Sequence, residues 1–253
     1  MNNYTFPPFK IEKRTEYTAF MIEPRKHRAL HYVLNNFLEN LSEEWSIVLL
    51  HGTQNVEYVN NILDKLAEKY PRERIQTANL GVENLVQFDY NDLFFNPKLY
   101  DYIPTETFIV FHTDSMILRE NRHRINDYLG YDYVGANWGE DTPYPGQNGN
   151  GGLSLRKKSK MLELLTHQDD EHIKGKIPKE YNCYTEDVYF CGIFHPSVEM
   201  KKADYEKASQ FSVEANYGED PFGIHAVWRY HYKGVYGKIL EKYPYIRELE
   251  ELQ

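Results

Sequence analysis

Asp114 is the residue whose position most directly suggests chemistry. It lies in the segment FHTDS, three residues after the end of the apolar run Phe108–Phe111. In open parallel sheets, ligands bind outside the carboxyl ends of the strands, so an acid directly after a strand stands where a site can form. Together with an imidazole or further oxygen atoms, one carboxylate can bind Mg²⁺ or Mn²⁺, cations that bridge the oxygens of a diphosphate. An aspartate at this point could equally cap a helix or form a turn.

Three later segments carry residue types that could join such a site. GNGGLSLR, residues 149–156, places glycines where the backbone must turn sharply or approach a ligand closely, although a plain hairpin would also explain them. Glu186 and Asp187 fall in the first turn of a predicted helix, where the helix dipole alone favours acids. His225 lies between a glycine and an apolar patch in FGIHAVW, and a lone histidine is more often structural than a ligand.

Composition restricts the class of protein. At 253 residues the chain can bury a sizeable core, and we expect a single domain. The net charge of −9 opposes nucleic-acid binding. The 2 cysteines cannot form a disulfide framework, and no apolar run reaches the roughly 18 residues that a membrane span needs. The N-terminal segment lacks the apolar region of a signal peptide, so a cytoplasmic protein is expected.

Strand and helix patterns alternate in the first part of the chain, and these elements must position the site. Buried strands are predicted at 18–22 and in WSIVLLHG, and helices at 30–41 and 56–66, where apolar residues recur every three or four positions. Pro71 closes the second helix. This order predicts parallel βαβ units with helices covering the sheet.

The remaining elements are read from shorter patterns. A helix is predicted in NDLFFNPKLYDYI, strands in TFIVFHTDS and YDYVGANW, and helices in KKSKMLELL and from TEDVYF onward. The turn-forming residues of 138–156 predict a loop that could order around a ligand. We expect an irregular lead-in at 1–16, the domain at 17–240, and a charged tail at 241–253 that forms a surface helix.

The order of FHTDS, YDYVGANW, GNGGLSLR, EDVYF, FSVE and GIHAVW resembles a family of uncharacterised glycosyltransferase-like domains with a GT-A architecture. The resemblance runs from about residue 17 to 232. It implies an α/β fold in which a Rossmann-like, mostly parallel sheet is flanked by helices in one domain. It also implies a nucleotide-sugar donor and a divalent metal on a D-x-D motif.

The resemblance carries individual roles with it. Here the motif reads HTD, so His112 replaces the first acid and Asp114 keeps the position that normally touches the metal. His112 would meet the metal, the ribose or neither. His225 resembles the C-terminal histidine that completes the metal site. Asp187 and Glu186 match the acid pair that supplies the catalytic base in many inverting members of the fold.

The implied donor site draws on further positions. Its residues are Arg25 and Thr53, where a uridine would rest, His112, Thr113, Asp114 and Ser115 after the strand, Asn150, Gly151 and Gly152 around the sugar, and Trp138, for stacking on sugar or acceptor. The implied cofactor is Mn²⁺ or Mg²⁺, and the donor is a UDP-sugar.

The predicted function is transfer of a hexose, glucose or galactose, from a UDP-sugar to a hydroxyl acceptor on a glycan or a hydroxylysine-type protein side chain. Inversion or retention of configuration, and a homodimer, are left open. The main alternative is an inactive nucleotide- or carbohydrate-binding module of the same fold. A phosphohydrolase of the haloacid dehalogenase type is disfavoured, because the first strand ends in MIEPRKH rather than in D-x-D-x-[TV].

Overall fold

The computed structural model of the protein describes residues 4–10, 15–142, 144–168, 185–195 and 197–253, with the backbone alone at 231–233. The strands are β1 (Tyr17–Glu23), β2 (Trp45–His51), β3 (Ile75–Asn79), β4 (Thr107–Phe111), β5 (Ser115–Ile117), β6 (Tyr133–Val134), β7 (Leu153–Lys157), β8 (Ser212–Val213) and β9 (Gly223–His225). The α-helices are α1 (Leu30–Asn40), α2 (Val56–Ala67), α3 (Gln87–Phe94), α4 (Lys158–Leu165), α5 (Glu186–Phe190), α6 (Tyr205–Phe211), α7 (Val235–Lys242) and α8 (Ile246–Glu251). Short 3₁₀ helices occupy Arg72–Arg74, Pro97–Tyr102, Arg119–Asp127 and Val227–Lys233.

A six-stranded sheet in the order β3-β2-β1-β4-β7-β6 forms the centre of the molecule. The neighbours β3, β2, β1 and β4 run parallel, whereas β7 pairs antiparallel with both β4 and β6. The mainly parallel α/β sheet expected from the sequence is therefore confirmed.

Both faces of this sheet are buried, because alternate residues of its strands enter two different apolar clusters. In β1, Ala19 and Met21 pack with the buried stripe of α1 on one face. Phe20 and Ile22 point to the other face and pack with residues of α3. Burial on both faces explains why β1 and β2 read as continuous apolar runs rather than as alternating ones.

A second, three-stranded sheet in the order β5-β9-β8 lies beyond the end of β4. β5 pairs antiparallel with β9, so that Ser115 lies opposite His225. β8 pairs parallel with β9, with Val213 opposite Ile224. This small sheet brings the chain around residue 114 and the ends of β8 and β9 to one edge.

Three sequence-based element predictions need correction. β3 was not predicted, although it forms the edge of the main sheet. YDYVGANW contributes only the two residues of β6, because Gly135 approaches Asn150 so closely that a Cβ atom there would lie 2.1 Å from its carbonyl oxygen. NDLFFNPKLYDYI is not one helix: α3 ends at Phe94, and the side chain of Asn96 then accepts the backbone N–H of Lys98 at the start of a 3₁₀ turn.

The C-terminal segment is helical, as expected, but it is also part of the core. Ile246 and Leu249 of α8 have no exposed surface. Beyond the helix, Gln253 Nε2 donates a hydrogen bond of 3.0 Å to the backbone oxygen of Thr113, next to Asp114. Among the described residues, no helix is long and apolar enough to cross a membrane.

Candidate active site

A cavity of about 650 Å³ opens at the carboxyl ends of β1 and β4. Its wall includes Arg25 after β1, Tyr90 of α3, Asp114 after β4, and His225 at the end of β9. This is the edge at which open parallel sheets bind ligands. The cavity volume falls within the range of small-molecule sites, roughly 300–1,000 Å³.

Three potential metal ligands converge at this cavity. Each of the three residues offers one donor atom, and these atoms lie within 4.8 Å of one another. The residues are His112, Asp114 and His225. Asp114 Oδ1 is 3.2 Å from His225 Nε2, although the two residues come from distant parts of the chain. The pairing of β5 with β9 causes this proximity, because it sets Ser115 opposite His225 and lets Ala226 N–H bond the backbone oxygen of Asp114.

The charges within the cluster reinforce one another. Burial opposes ionisation of Asp114, but His225, His112 and Arg229 hold the pKa of its carboxyl well below the usual range. Burial also disfavours a charged imidazole at His225, yet the carboxylates of Asp114 and Glu214 raise its pKa to about 10. His225 is thus a cation held between two acids.

His112 is held in a different state from His225. Burial and the neighbouring charge of His225 lower the pKa of His112 to about 4, so the ring is neutral at physiological pH. Its Nε2 atom lies 2.7 Å from the hydroxyl oxygen of Tyr90. If Nε2 carries the ring proton and donates to Tyr90, Nδ1 keeps a lone pair for a ligand.

The donor set fits a divalent transition ion. Asp114 and His225 are buried, and two imidazole nitrogens beside one carboxylate oxygen favour a transition ion over Mg²⁺, which prefers oxygen ligands. The proton of His225 Nε2 now lies between this nitrogen and the carboxylate of Asp114. A metal ion that displaces this proton can bind both side chains. Arg229, whose side chain is 64% exposed, bonds Asp114 Oδ2 at 3.0 Å and has room to move away.

The glycine segment fits against this cluster. A Cβ atom on Gly152 would lie 2.1 Å from His225 Nε2, and one on Gly151 would lie 2.4 Å from Glu186 Oε1. The backbone oxygen of Gly152 also accepts a hydrogen bond of 2.6 Å from the Ser115 hydroxyl. Glycine is therefore required here for close approach of the backbone to the site.

Gly152→Ala tests this packing. We expect it to displace the imidazole of His225, to weaken Mn²⁺ binding at least about tenfold, and to cost about 1–3 kcal/mol of stability through overpacking. Metal titration and denaturant unfolding measure the two effects. Gly237→Ala is the matched control, because a Cβ placed there in α7 would have no heavy atom within 4 Å other than those of its own helix. Unchanged metal binding in Gly152→Ala would contradict the close contact.

The predicted acid pair divides into two different environments. Glu186 Oε2 and Oε1 lie 2.5 and 3.1 Å from the two terminal nitrogens of Arg156, whose side chain is fully buried. The guanidinium also packs against the rings of Phe94 and Tyr133. Both carboxylate oxygens of Glu186 are thus occupied by an internal cation.

Breaking this pair should destabilise the protein strongly. Glu186→Gln leaves the Arg156 charge buried without a counter-ion, and we expect a loss of about 3–5 kcal/mol in the free energy of unfolding. Replacing both partners, Arg156→Met with Glu186→Leu, should recover most of that loss. Glu163→Gln, which removes an exposed ion pair with Lys160, is the control and should change stability by less than about 1 kcal/mol.

Asp187 differs from Glu186 in that it forms no ion pair with any residue that the structure describes. Its Oδ1 accepts the backbone N–H of Val188 at 2.8 Å and its Oδ2 that of Gly151 at 3.2 Å. Burial and the adjacent charge of Glu186 nevertheless raise the pKa of Asp187 to about 6. A carboxyl that titrates near neutrality is suited to proton transfer. Asp187 lies behind Gly151 rather than in the cavity wall described above.

The other predicted donor-site residues fall into two groups. Arg25, Thr113 and Asn150 line the cavity. The residues that do not are Thr53, Ser115, Trp138, Gly151 and Gly152. Arg25 is 56% exposed and binds both oxygens of Glu23.

The residues outside the wall other than the two glycines make contacts elsewhere. Thr53 donates its backbone N–H to the backbone oxygen of Val82. Ser115 is fully buried. Trp138 is 7% exposed and packs on Gly149, where a Cβ atom would lie 2.3 Å from its ring.

Sequence reasoning assigned no role to Tyr90, Glu214 or Arg229, all of which line the cavity. Glu214 ends the FSVE segment directly after β8, so its place after a strand was a usable signal, the same one that pointed to Asp114. Tyr90 and Arg229 had no comparable signal. Both lie in helices, and the sequence alone does not show which helical side chains face the carboxyl edge of the sheet.

A family model described as "Protein of unknown function (DUF5672)" matches residues 74–225, which is more than half of the chain and includes the whole His112, Asp114 and His225 cluster. The protein belongs to the DUF5672 family. No curated protein matches this DUF5672 sequence significantly.

Several solved structures that are similar to this DUF5672 protein are glycosyltransferases. The galactosyltransferase LgtC, solved with donor and acceptor sugar analogs, has a TM-score of 0.56 at 11% identity, over 83% of this chain and 86% of its own. The mannosyltransferase PcManGT from Pyrobaculum calidifontis, solved with GDP-Man and Mn²⁺, has a TM-score of 0.51 at 12% identity, over 78% and 57%. The bifunctional WbbM has a TM-score of 0.53 at 10% identity, over 96% and 52%.

The DUF5672 chain therefore spans little more than half the length of PcManGT and of WbbM. At these identities the similarity establishes the fold, which is the GT-A glycosyltransferase fold expected from the sequence.

Proposed function

We propose that the protein is a metal-dependent glycosyltransferase that moves a hexose from a UDP-sugar to a hydroxyl acceptor. The observation that carries this proposal is the convergence of His112, Asp114 and His225 at a cavity on the carboxyl edge of a GT-A sheet. A lone buried aspartate would not support it, because such residues are common as caps and turns.

Asp114 and His225, with His112 beside them, would hold the divalent cation. Bound there, the cation would supply charge neutralisation for the departing diphosphate, a contribution of several kcal/mol to the barrier. Arg25 and Arg229 also line the cavity, where they pair with the carboxylates of Glu23 and Asp114. Both side chains are more than half exposed, and a guanidinium that turns from its carboxylate could bind the diphosphate of an anionic donor.

Asp187 is the better general base of the acid pair, for an acceptor that approaches it beside Gly151, outside the cavity wall. Its pKa of about 6 leaves the carboxylate mostly free of protons at neutral pH and still basic enough to accept one from an acceptor hydroxyl. Glu186 would act indirectly, because its pair with Arg156 supports the segment under Gly151. This assignment applies to an inverting reaction; in a retaining one, Asp187 would orient the sugar or the acceptor.

The donor sugar is proposed as glucose or galactose, and the acceptor as a glycan or a hydroxylysine-type side chain. One of the similar structures contains GDP-Man and another contains analogs of the donor and acceptor sugars. The proposed sugars therefore rest on the resemblance of the sequence motifs, and the donor panel below tests them.

Release of nucleoside diphosphate from a panel of nucleotide sugars tests the function without an acceptor. The panel holds UDP-glucose, UDP-galactose, UDP-GlcNAc and GDP-mannose, each with Mn²⁺ and with a chelator. We expect Mn²⁺-dependent hydrolysis of one UDP-hexose. The alternative, an inactive binding module, would bind UDP in a calorimetric titration but release none from any donor.

A further inference from the structure

We propose that Glu214 is a positioning residue that acts through His225, orienting its imidazole so that Nε2 faces Asp114 and the bound cation. The inference rests on the metal site of the proposed function. Glu214 itself is not one of the three residues whose donor atoms converge.

The small second sheet places Glu214 next to His225. β8 and β9 run parallel, with Val213 opposite Ile224. Glu214 directly follows β8, and His225 is the last residue of β9. Continuing the register by one residue sets Glu214 beside His225. On the other side of β9, the antiparallel partner β5 sets Ser115 opposite His225, so Asp114 adjoins it too.

The imidazole of His225 consequently lies between two carboxylates. Nε2 is 3.2 Å from Asp114 Oδ1, and Nδ1 is 3.2 Å from Glu214 Oε1. Glu214 and His225 are each 6% exposed, so water does not compete freely for these atoms. Nδ1 is buried, and it forms no well-aligned hydrogen bond with any described residue. Because Glu214 Oε1 lies within reach, a small rotation would make it the acceptor for Nδ1–H.

An acceptor at Nδ1 decides which nitrogen can bind a cation. When Nδ1–H donates to a carboxylate, the ring proton is fixed on Nδ1 and the lone pair of Nε2 is free on the opposite edge. Histidines that bind metals usually donate their second nitrogen in this way, which fixes the ring and raises its basicity. Glu214 is the described residue that can provide this support at His225.

Glu214 also adds negative charge beside the cluster. Asp114 is the single acid among the three converging residues. Glu214 lines the same cavity, and its Oε1 atom lies 3.2 Å from Nδ1 of His225. A second carboxylate this close to the cluster favours binding of a cation.

The test compares Mn²⁺ binding, measured with the metal alone by calorimetry and by electron paramagnetic resonance, in three variants. We expect Glu214→Gln, which keeps an acceptor oxygen but not the charge, to weaken binding about 10-fold, and Glu214→Leu, which removes both, about 100-fold. Glu219→Gln, an exposed acid five residues away that pairs with Lys242, is the matched control and should bind like the wild type. Glu214→Gln is close in shape to the native residue and keeps the test valid if Glu214→Leu does not fold.

A second measurement separates orientation from general structural support. A long-range ¹H–¹⁵N spectrum of histidine-labelled protein with Zn²⁺, a diamagnetic cation that binds imidazole, reports which nitrogen of each ring is protonated, and His225→Ala identifies the signals. We expect Nδ1-protonated His225 in the wild type and loss of that preference in Glu214→Leu.

Two results would overturn the inference. One is Mn²⁺ affinity within twofold of wild type in both Glu214 variants; the other is an unchanged ring tautomer in Glu214→Leu. Either would leave the glycosyltransferase proposal standing, because release of UDP is measured separately. Absence of Mn²⁺ binding by the wild type would remove both this role and the metal from the proposed function.

Discussion

Asp114→Asn is expected to reduce metal-dependent release of UDP by about a thousandfold, since the lost contribution of the cation is several kcal/mol and each 1.4 kcal/mol is about tenfold. The variant keeps the side-chain shape and the backbone bond from Ala226 N–H to residue 114, but removes the charge that faces both His225 and Arg229. Turnover of the donor with and without Mn²⁺, together with a metal titration, measures the effect.

The control is Asp64→Asn, which neutralises an exposed acid on α2 and should leave turnover unchanged. Thermal unfolding must accompany the assay, because the low pKa of Asp114 means that its ionised form stabilises the fold at neutral pH. A variant that folds, binds Mn²⁺ normally and retains full activity would refute the metal assignment.

Asp187→Asn is expected to lower kcat by about 10²- to 10⁴-fold while changing the affinity for UDP little, because a general base acts in the transition state and not on the bound nucleotide. The single amide oxygen can still accept the N–H of Gly151, so the Gly149–Gly152 segment should keep its course, while the N–H of Val188 loses its acceptor. If nucleotide affinity falls and kcat does not, Asp187 does not act on the transferred group.

The pH dependence of the wild type provides an independent check on Asp187. Since burial and Glu186 raise its pKa to about 6, kcat/KM should fall roughly tenfold per pH unit below that value and be level above it. Asp187→Asn should lack this acidic limb, whereas Asp64→Asn should keep it.

Stability should respond to Asp187→Asn in the opposite direction to activity. The folded pKa of Asp187 lies above its unfolded value, so the protein favours the protonated form and loses stability as pH rises through about 6. Asparagine removes that cost, and we expect a gain of about 1–2 kcal/mol at pH 7.5 with little change at pH 4. Such a trade of stability for activity is typical of functional residues.

Patterns local in the chain determined the sheet and the position of the first acid. The apolar runs of β1 and β2 and the stripe of α1 require burial on both faces of a sheet, which fixes the parallel αβ arrangement. A polar residue directly after β4 must then lie at the carboxyl edge, which is why Asp114 could be singled out. The edge strand β3 was not predicted, because its sequence, IQTAN, is short and only weakly apolar.

Tertiary structure alone decided which polar groups share the site. Whether Glu186 or Asp187 is free depends on Arg156, a residue 30 positions away that reaches Glu186 across the core. Likewise, the contacts of His225 with Asp114 and Glu214 follow from strand pairings of β5, β9 and β8, which no periodicity encodes. The sequence by itself therefore determined the fold class and one edge of the sheet, because burial patterns are local; the partners of each charge were set only when distant strands paired.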